Sequence, residues 1–74
     1  MIVYDPFWRT MKAKNISSYK LEKQYGLSKS VIHKLRHNLN MELASINALC
    51  KMFECDIFDI IAYIPDEEDS NEKK

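Results

Sequence analysis

Glycine occurs once and proline twice in these 74 residues. That is too few turn formers for a β-sandwich or small barrel, whose many short strands need many tight turns. The two cysteines, Cys50 and Cys55, fall short of the disulfide framework of a small secreted domain. They lack CxxC spacing and read as core or near-core residues of a reduced protein. No apolar run approaches the ~18 residues of a membrane span. The opening MIVYDPFWRT has neither the basic nor the apolar block of a signal peptide. The expected compartment is the cytoplasm. A Gly-rich phosphate loop and paired catalytic carboxylates are also lacking, and a domain this small has little room for a deep pocket. No enzyme activity and no cofactor is expected.

Net charge is absent as well, yet its distribution is uneven. Residues 1–37 carry eight Lys and Arg against Asp5 and Glu22; residues 38–74 carry three against nine carboxylates. Such a chain is +6 at one end and −6 at the other. A basic half attracts phosphate and an acidic half repels it, so the molecule is oriented before contact. The bland alternative is that the charges only solvate helix faces. What remains, 46% apolar and 30% charged residues, is a globular composition. The length allows one small domain, which is marginally stable unless packing is efficient or a partner adds contacts.

The pattern predicts an all-α protein of five short helices. Met1 to Tyr4 is apolar and extended, packing along the domain or against a partner; the sequence does not decide. Asp5-Pro6 is a helix start, with Asp capping and Pro in the first turn. Helix one covers about 6–14, with Phe7, Trp8 and Met11 at helical spacing. Trp8 and Phe7 read as core rather than as a ligand-binding aromatic pair. Asn15 supplies a left-handed stop. Ser17 caps helix two, on which Leu21 and Tyr25 share a face. Gly26 ends it, Leu27 enters the core, and Ser28 caps helix three, Lys29 to about His37. Ile32 and Leu35 face inward there, with Val31 at the edge. Helix four starts at about Met41 or Leu43 and runs to Phe53, with Leu43, Ile46, Leu49, Cys50 and Phe53 as its apolar stripe. Asp56 caps a fifth helix bearing Ile57, Ile60, Ile61 and Ile64, stopped by Pro65. Residues 66–74, DEEDSNEKK, hold no apolar side chain and read as a disordered acidic tail. The domain is residues 1–65.

The functional signal lies in Ser17–Asn38. A tight turn between two short helices sets the second across the first, so that the second can enter a major groove. The leading residues Ser28, Lys29 and Ser30 then meet base edges, with His33, Lys34 and His37 one and two turns on. Arg36 and Lys23 read as phosphate clamps, and Ser18, Tyr19 and Lys20 meet backbone oxygens. For any one lysine a solvated surface role is the simpler reading; together, on one helix pair, they favour DNA. His33 and His37 stand four apart, a zinc-compatible spacing. Lys34 and Arg36 oppose a cation there and the helix holds no carboxylate, so no metal site is expected.

Residues 16–64 resemble the Cro and phage-repressor type of helix-turn-helix regulator, the xenobiotic-response-element family, with a lambda-repressor-like bundle. The resemblance is carried by Ile16-Ser17, Tyr19-Lys20-Leu21, Tyr25-Gly26-Leu27-Ser28-Lys29-Ser30, Ile32 and Leu35. Ile46-Asn47-Ala48-Leu49-Cys50, Phe53, Cys55 and Asp59 to Pro65 extend it. It implies that Ser28, Lys29, Ser30, His33 and Lys34 face the groove and that Ser18 touches phosphate. The expected function is sequence-specific binding of double-stranded DNA to repress or otherwise regulate transcription, by a dimer on a two-fold site or a weak monomer; the resemblance favours a homodimer without showing which surface pairs. Glu22 departs from the family's usual small residue, and Glu42 from its Ser-like cap. The rival expectation is a helical protein-interaction module, antitoxin-like or regulator-binding, that does not read DNA.

Overall fold

The computed structural model describes residues 1–65; the tail expected at 66–74 lies outside the described residues. A short strand β1 (Ile2–Val3) leads into four helices: α1 (Asp5–Ala13), α2 (Ser18–Lys23), α3 (Lys29–His37) and α4 (Leu43–Phe53). A 3-10 turn at Ile57–Asp59 and a strand β2 (Ala62–Tyr63) follow. Four α-helices with a two-stranded sheet therefore replace the five helices expected.

The fifth helix is the principal correction. Asp56 does cap as expected: its carboxylate accepts from Ile57 N at 2.9 Å, and Asp59 returns a bond to the Asp56 amide. The chain then leaves the helical path after a single 3-10 turn. It pairs antiparallel with the N-terminal segment, Ile2 opposite Tyr63 and Val3 opposite Ala62. Ile64 N donates to Met1 O at 2.8 Å, and the Met1 amino group donates to Ile64 O. The isoleucine spacing fits a helix, but an apolar extended edge at residues 1–4 offers backbone bonds that a short helix before Pro65 does not. Ile60 stays buried while Ile57 and Ile64 are exposed.

Left-handed residues end the helices. Asn15 (φ 64°), Gly26 (φ 74°), Asn38 (φ 57°) and Glu54 (φ 51°) each reverse the chain. Asn15 and Gly26 are the stops that the sequence predicts, Asn38 is an asparagine that tolerates the same conformation, and Glu54 is less suited to it. At the other end of α1, Asp5 is a helical residue rather than the cap. Tyr4 takes the cap position without a side-chain cap bond. Tertiary bonds on Tyr4 hold that start one residue early, and Asp5 still complements the positive helix end.

The core joins Tyr4, Phe7 and Met11 from the N-terminal part to Leu21, Leu35, Ile46, Leu49, Phe53 and Ile60. Phe7 meets Phe53 edge-on at 6.0 Å, and Tyr25 packs on Phe53 at 4.9 Å. Leu43 does not join them. It is 79% exposed, because it is the first residue of α4 and lies beyond the layer covered by the other helices. The α4 stripe is Ile46, Leu49 and Phe53, with Cys50 half-buried.

Candidate nucleic-acid interface

The helix pair is built by local chemistry. Ser17 Oγ accepts from Lys20 N at 3.2 Å, fixing the start of α2. Its end closes with Tyr25 N bonded to Lys20 O and Leu27 N to Leu21 O at 2.9 Å, wrapping Gly26. A Cβ at Gly26 would meet nothing within 4 Å, so its backbone angle rather than space demands glycine. Ser28 Oγ accepts from Val31 N at 3.1 Å and starts α3. Leu21 and Leu35, both fully buried, lock the two helices together.

Successive side chains on α3 rotate by about 100°. Val31, Ile32 and Leu35 point to the core. The opposite face therefore presents Lys29, Ser30, His33 and His37, with Arg36 along one flank and Lys34 along the other. The rings of His33 and His37 lie 4.4 Å apart, tilted by 47°. Ser28 stands exposed at the leading end.

The expected residues do not all share one surface. Ser18, Tyr19, Lys29, His33 and Arg36 line one groove of about 290 Å³ between α2 and α3. Lys34 is half-buried and lines another groove, with Asn40, Glu42 and Ser45 on the α4 side. Tyr19 is exposed, and Lys20 Nζ reaches Asn15 O at 3.4 Å. Glu22 is accommodated by facing across to α3, its carboxylate 3.8 Å from Lys29 Nζ. Lys29 is exposed and Glu22 half-buried, and a pair so open to solvent contributes little to stability. Glu42 stands at the cap of α4 and makes no capping bond.

Trp8 has a place here that helical spacing alone did not indicate. It is half-buried, its indole N–H donates to Leu35 O at 3.1 Å, and the Arg36 guanidinium lies 4.5 Å above its ring. Arg36 also donates to Ser18 Oγ. The signal in the sequence is an aromatic residue on α1 followed by Arg9 and Lys12, which reads equally as core.

Among the described residues no three His, Cys, Asp or Glu side chains converge to hold a metal ion. None of the described helices is long and apolar enough to cross a membrane.

Residues 7–66 match the family model of the Cro/C1-type helix-turn-helix DNA-binding domain, and the chain belongs to that family. The fold is similar to the crystal structure of the transcriptional regulator VanUg, with a TM-score of 0.77 and 31% sequence identity, covering 88% of this chain and 87% of that one. No curated protein sequence matches the chain.

Proposed function

We propose that this domain reads double-stranded DNA by placing α3 in the major groove, and that it represses transcription in the cytoplasm as a homodimer on a two-fold site. The carrying observation is the outward face of α3. Ser30, His33 and His37 stand there without core duties, and Lys29, Lys34 and Arg36 border them with positive charge. Side chains in the middle of such a face suit base edges, and the bordering cations suit phosphates. A chain this small makes few contacts alone, and a second copy doubles them. The likeness to a transcriptional regulator supports the regulatory role.

Selection from a random duplex pool at low and near-physiological salt tests the reading. Enrichment of an inverted repeat is expected, with binding that falls at a log–log slope of about −0.9 per phosphate neutralised. Lys29→Ala with Lys34→Ala abolishes duplex affinity while the circular dichroism stays unchanged. Absence of any enriched sequence rejects sequence reading.

A protein-interaction module is the second reading. Leu43, Phe58 and Tyr63 favour it, at 79%, 77% and 64% exposed. For such a module the double lysine variant leaves function intact.

A further inference from the structure

We propose that Trp8 is a positioning residue for DNA binding: it holds the Arg36 guanidinium beside Ser18, so that these two residues, already expected to meet phosphate, form one seat for a single phosphodiester of duplex DNA. The seat rests on the DNA-binding reading above. The Arg36 side chain is held twice: its guanidinium carbon lies 4.5 Å over the Trp8 ring, and a terminal nitrogen donates to Ser18 Oγ. Trp8 is itself fixed, by its bond to Leu35 O at 3.1 Å and by the edge-on ring of Phe7 at 5.0 Å. A guanidinium lying on an aromatic face keeps its donors in the plane of the fork. Stacking therefore sets its direction without using those donors up.

The surroundings suit an oxyanion. The cleft beside the seat, about 350 Å³, is lined by Lys12, Asn15, Ser17 and Ser18 together with Trp8 and Arg36, and by no carboxylate. The ion pair among the described residues joins Lys29 to Glu22 and leaves Arg36 out. Ser18 accepts from Arg36, so its own hydroxyl proton is available to a ligand. An immobilised fork beside a second cation and a hydroxyl is the donor arrangement that binds phosphate oxygens in pairs. Arg36 and Ser18 also line the adjoining groove with Lys29 and His33. A duplex lying against α3 thus carries its backbone past this cleft.

Fluorescence anisotropy with a labelled duplex, carrying the selected site or else random sequence, measures affinity of the full chain across a salt series. Arg36→Met is expected to lower affinity about tenfold and the salt slope by about 0.9. Arg36→Lys restores the slope but not the affinity, because an ammonium has no planar fork to stack. Trp8→Phe weakens binding by the unaltered chain, yet adds nothing in the Arg36→Met background. A purely structural tryptophan would weaken both backgrounds equally, which overturns its positioning role. Trp8 is the sole tryptophan, so its emission is expected to shift on adding duplex and to stay constant with inorganic phosphate. A shift with inorganic phosphate and none with duplex assigns the cleft to a free anion and overturns the proposal. An unchanged slope in Arg36→Met overturns the seat and leaves DNA binding standing. If the unaltered chain binds no duplex, both fall.

Discussion

Asn38 accepts the backbone N–H of Tyr4 through its side-chain oxygen at 2.8 Å. This one residue ends α3 in a left-handed conformation (φ 57°) and ties the N-terminal segment to it. The Tyr4 hydroxyl adds a bond to Leu39 O at 2.7 Å. The strand that pairs with β2 is thus anchored to the end of the helix that faces outward. Asn38→Gly keeps the backbone conformation and leaves the Tyr4 amide without its partner, at a cost of about 1–2 kcal/mol. Asn38→Ala adds a left-handed Cβ penalty and falls lower by about 1 kcal/mol. Urea unfolding checks the order; equal stability of the two variants would show that the conformation carries no cost there.

Glu54 occupies the same left-handed region at the end of α4, with φ 51°, and Cys55 N closes onto Cys50 O at 3.0 Å. Its side chain is exposed and makes no hydrogen bond or ion pair among the described residues. Glu54→Gly therefore removes the Cβ strain and loses no contact. The gain is expected to be about 0.5–1 kcal/mol after the larger chain entropy of glycine is allowed for. Thermal unfolding should move up by about 2–8 °C for a domain of this size. A lower Tm would place the strain elsewhere.

Alkaline pH should weaken the fold in two stages. Burial raises the Cys55 thiol above its ordinary 9.0, aided by Cys50, Asp59 and Asp56 and opposed by Lys14. Burial also raises the Tyr4 phenol above 10.0. Both groups are neutral when protonated, and the folded chain holds their protons more tightly than the unfolded one. The stability they contribute is therefore whole below the unfolded values and lost as pH rises through the folded ones. Urea midpoints should fall first above 9 and again above 10. Cys55→Ala flattens the first stage and Tyr4→Phe the second. A pH-independent midpoint in the unaltered chain contradicts the account.

The helix-turn-helix was legible because its determinants are short-range. Ser17, Gly26 and Ser28 each act within a few residues, through a capping oxygen or a positive φ. The strand pair was not legible in that way. Ile2 opposite Tyr63 is a contact between chain ends, and the same isoleucine spacing satisfies a helix when neighbours alone are considered. Periodicity likewise placed Leu43 in a stripe without revealing that α4 begins beyond its neighbours. For the candidate interface, sequence supplied the outward face of α3 but not its partition. Lys34 turns toward α4 and Arg36 toward Trp8, directions that depend on which helices flank α3.

That partition yields a test of base reading against phosphate binding. Ser30 and His33 stand in the middle of the outward face, whereas Lys34 lies half-buried at its edge beside Asn40 and Ser45. An edge cation meets the sugar-phosphate backbone, which is the same for every sequence, so Lys34→Ala should weaken all duplexes alike and reduce the salt slope by about 0.9. A central side chain meets base edges, so His33→Ala should leave the slope nearly constant and relax the preference at one or two positions. The expected discrimination lost there is about 1–3 kcal/mol per base pair. Sequencing the duplexes selected by each variant reads both effects at once. The opposite pattern, with Lys34→Ala altering the enriched bases and His33→Ala only the salt slope, would mean that α3 meets DNA through its α4-side edge.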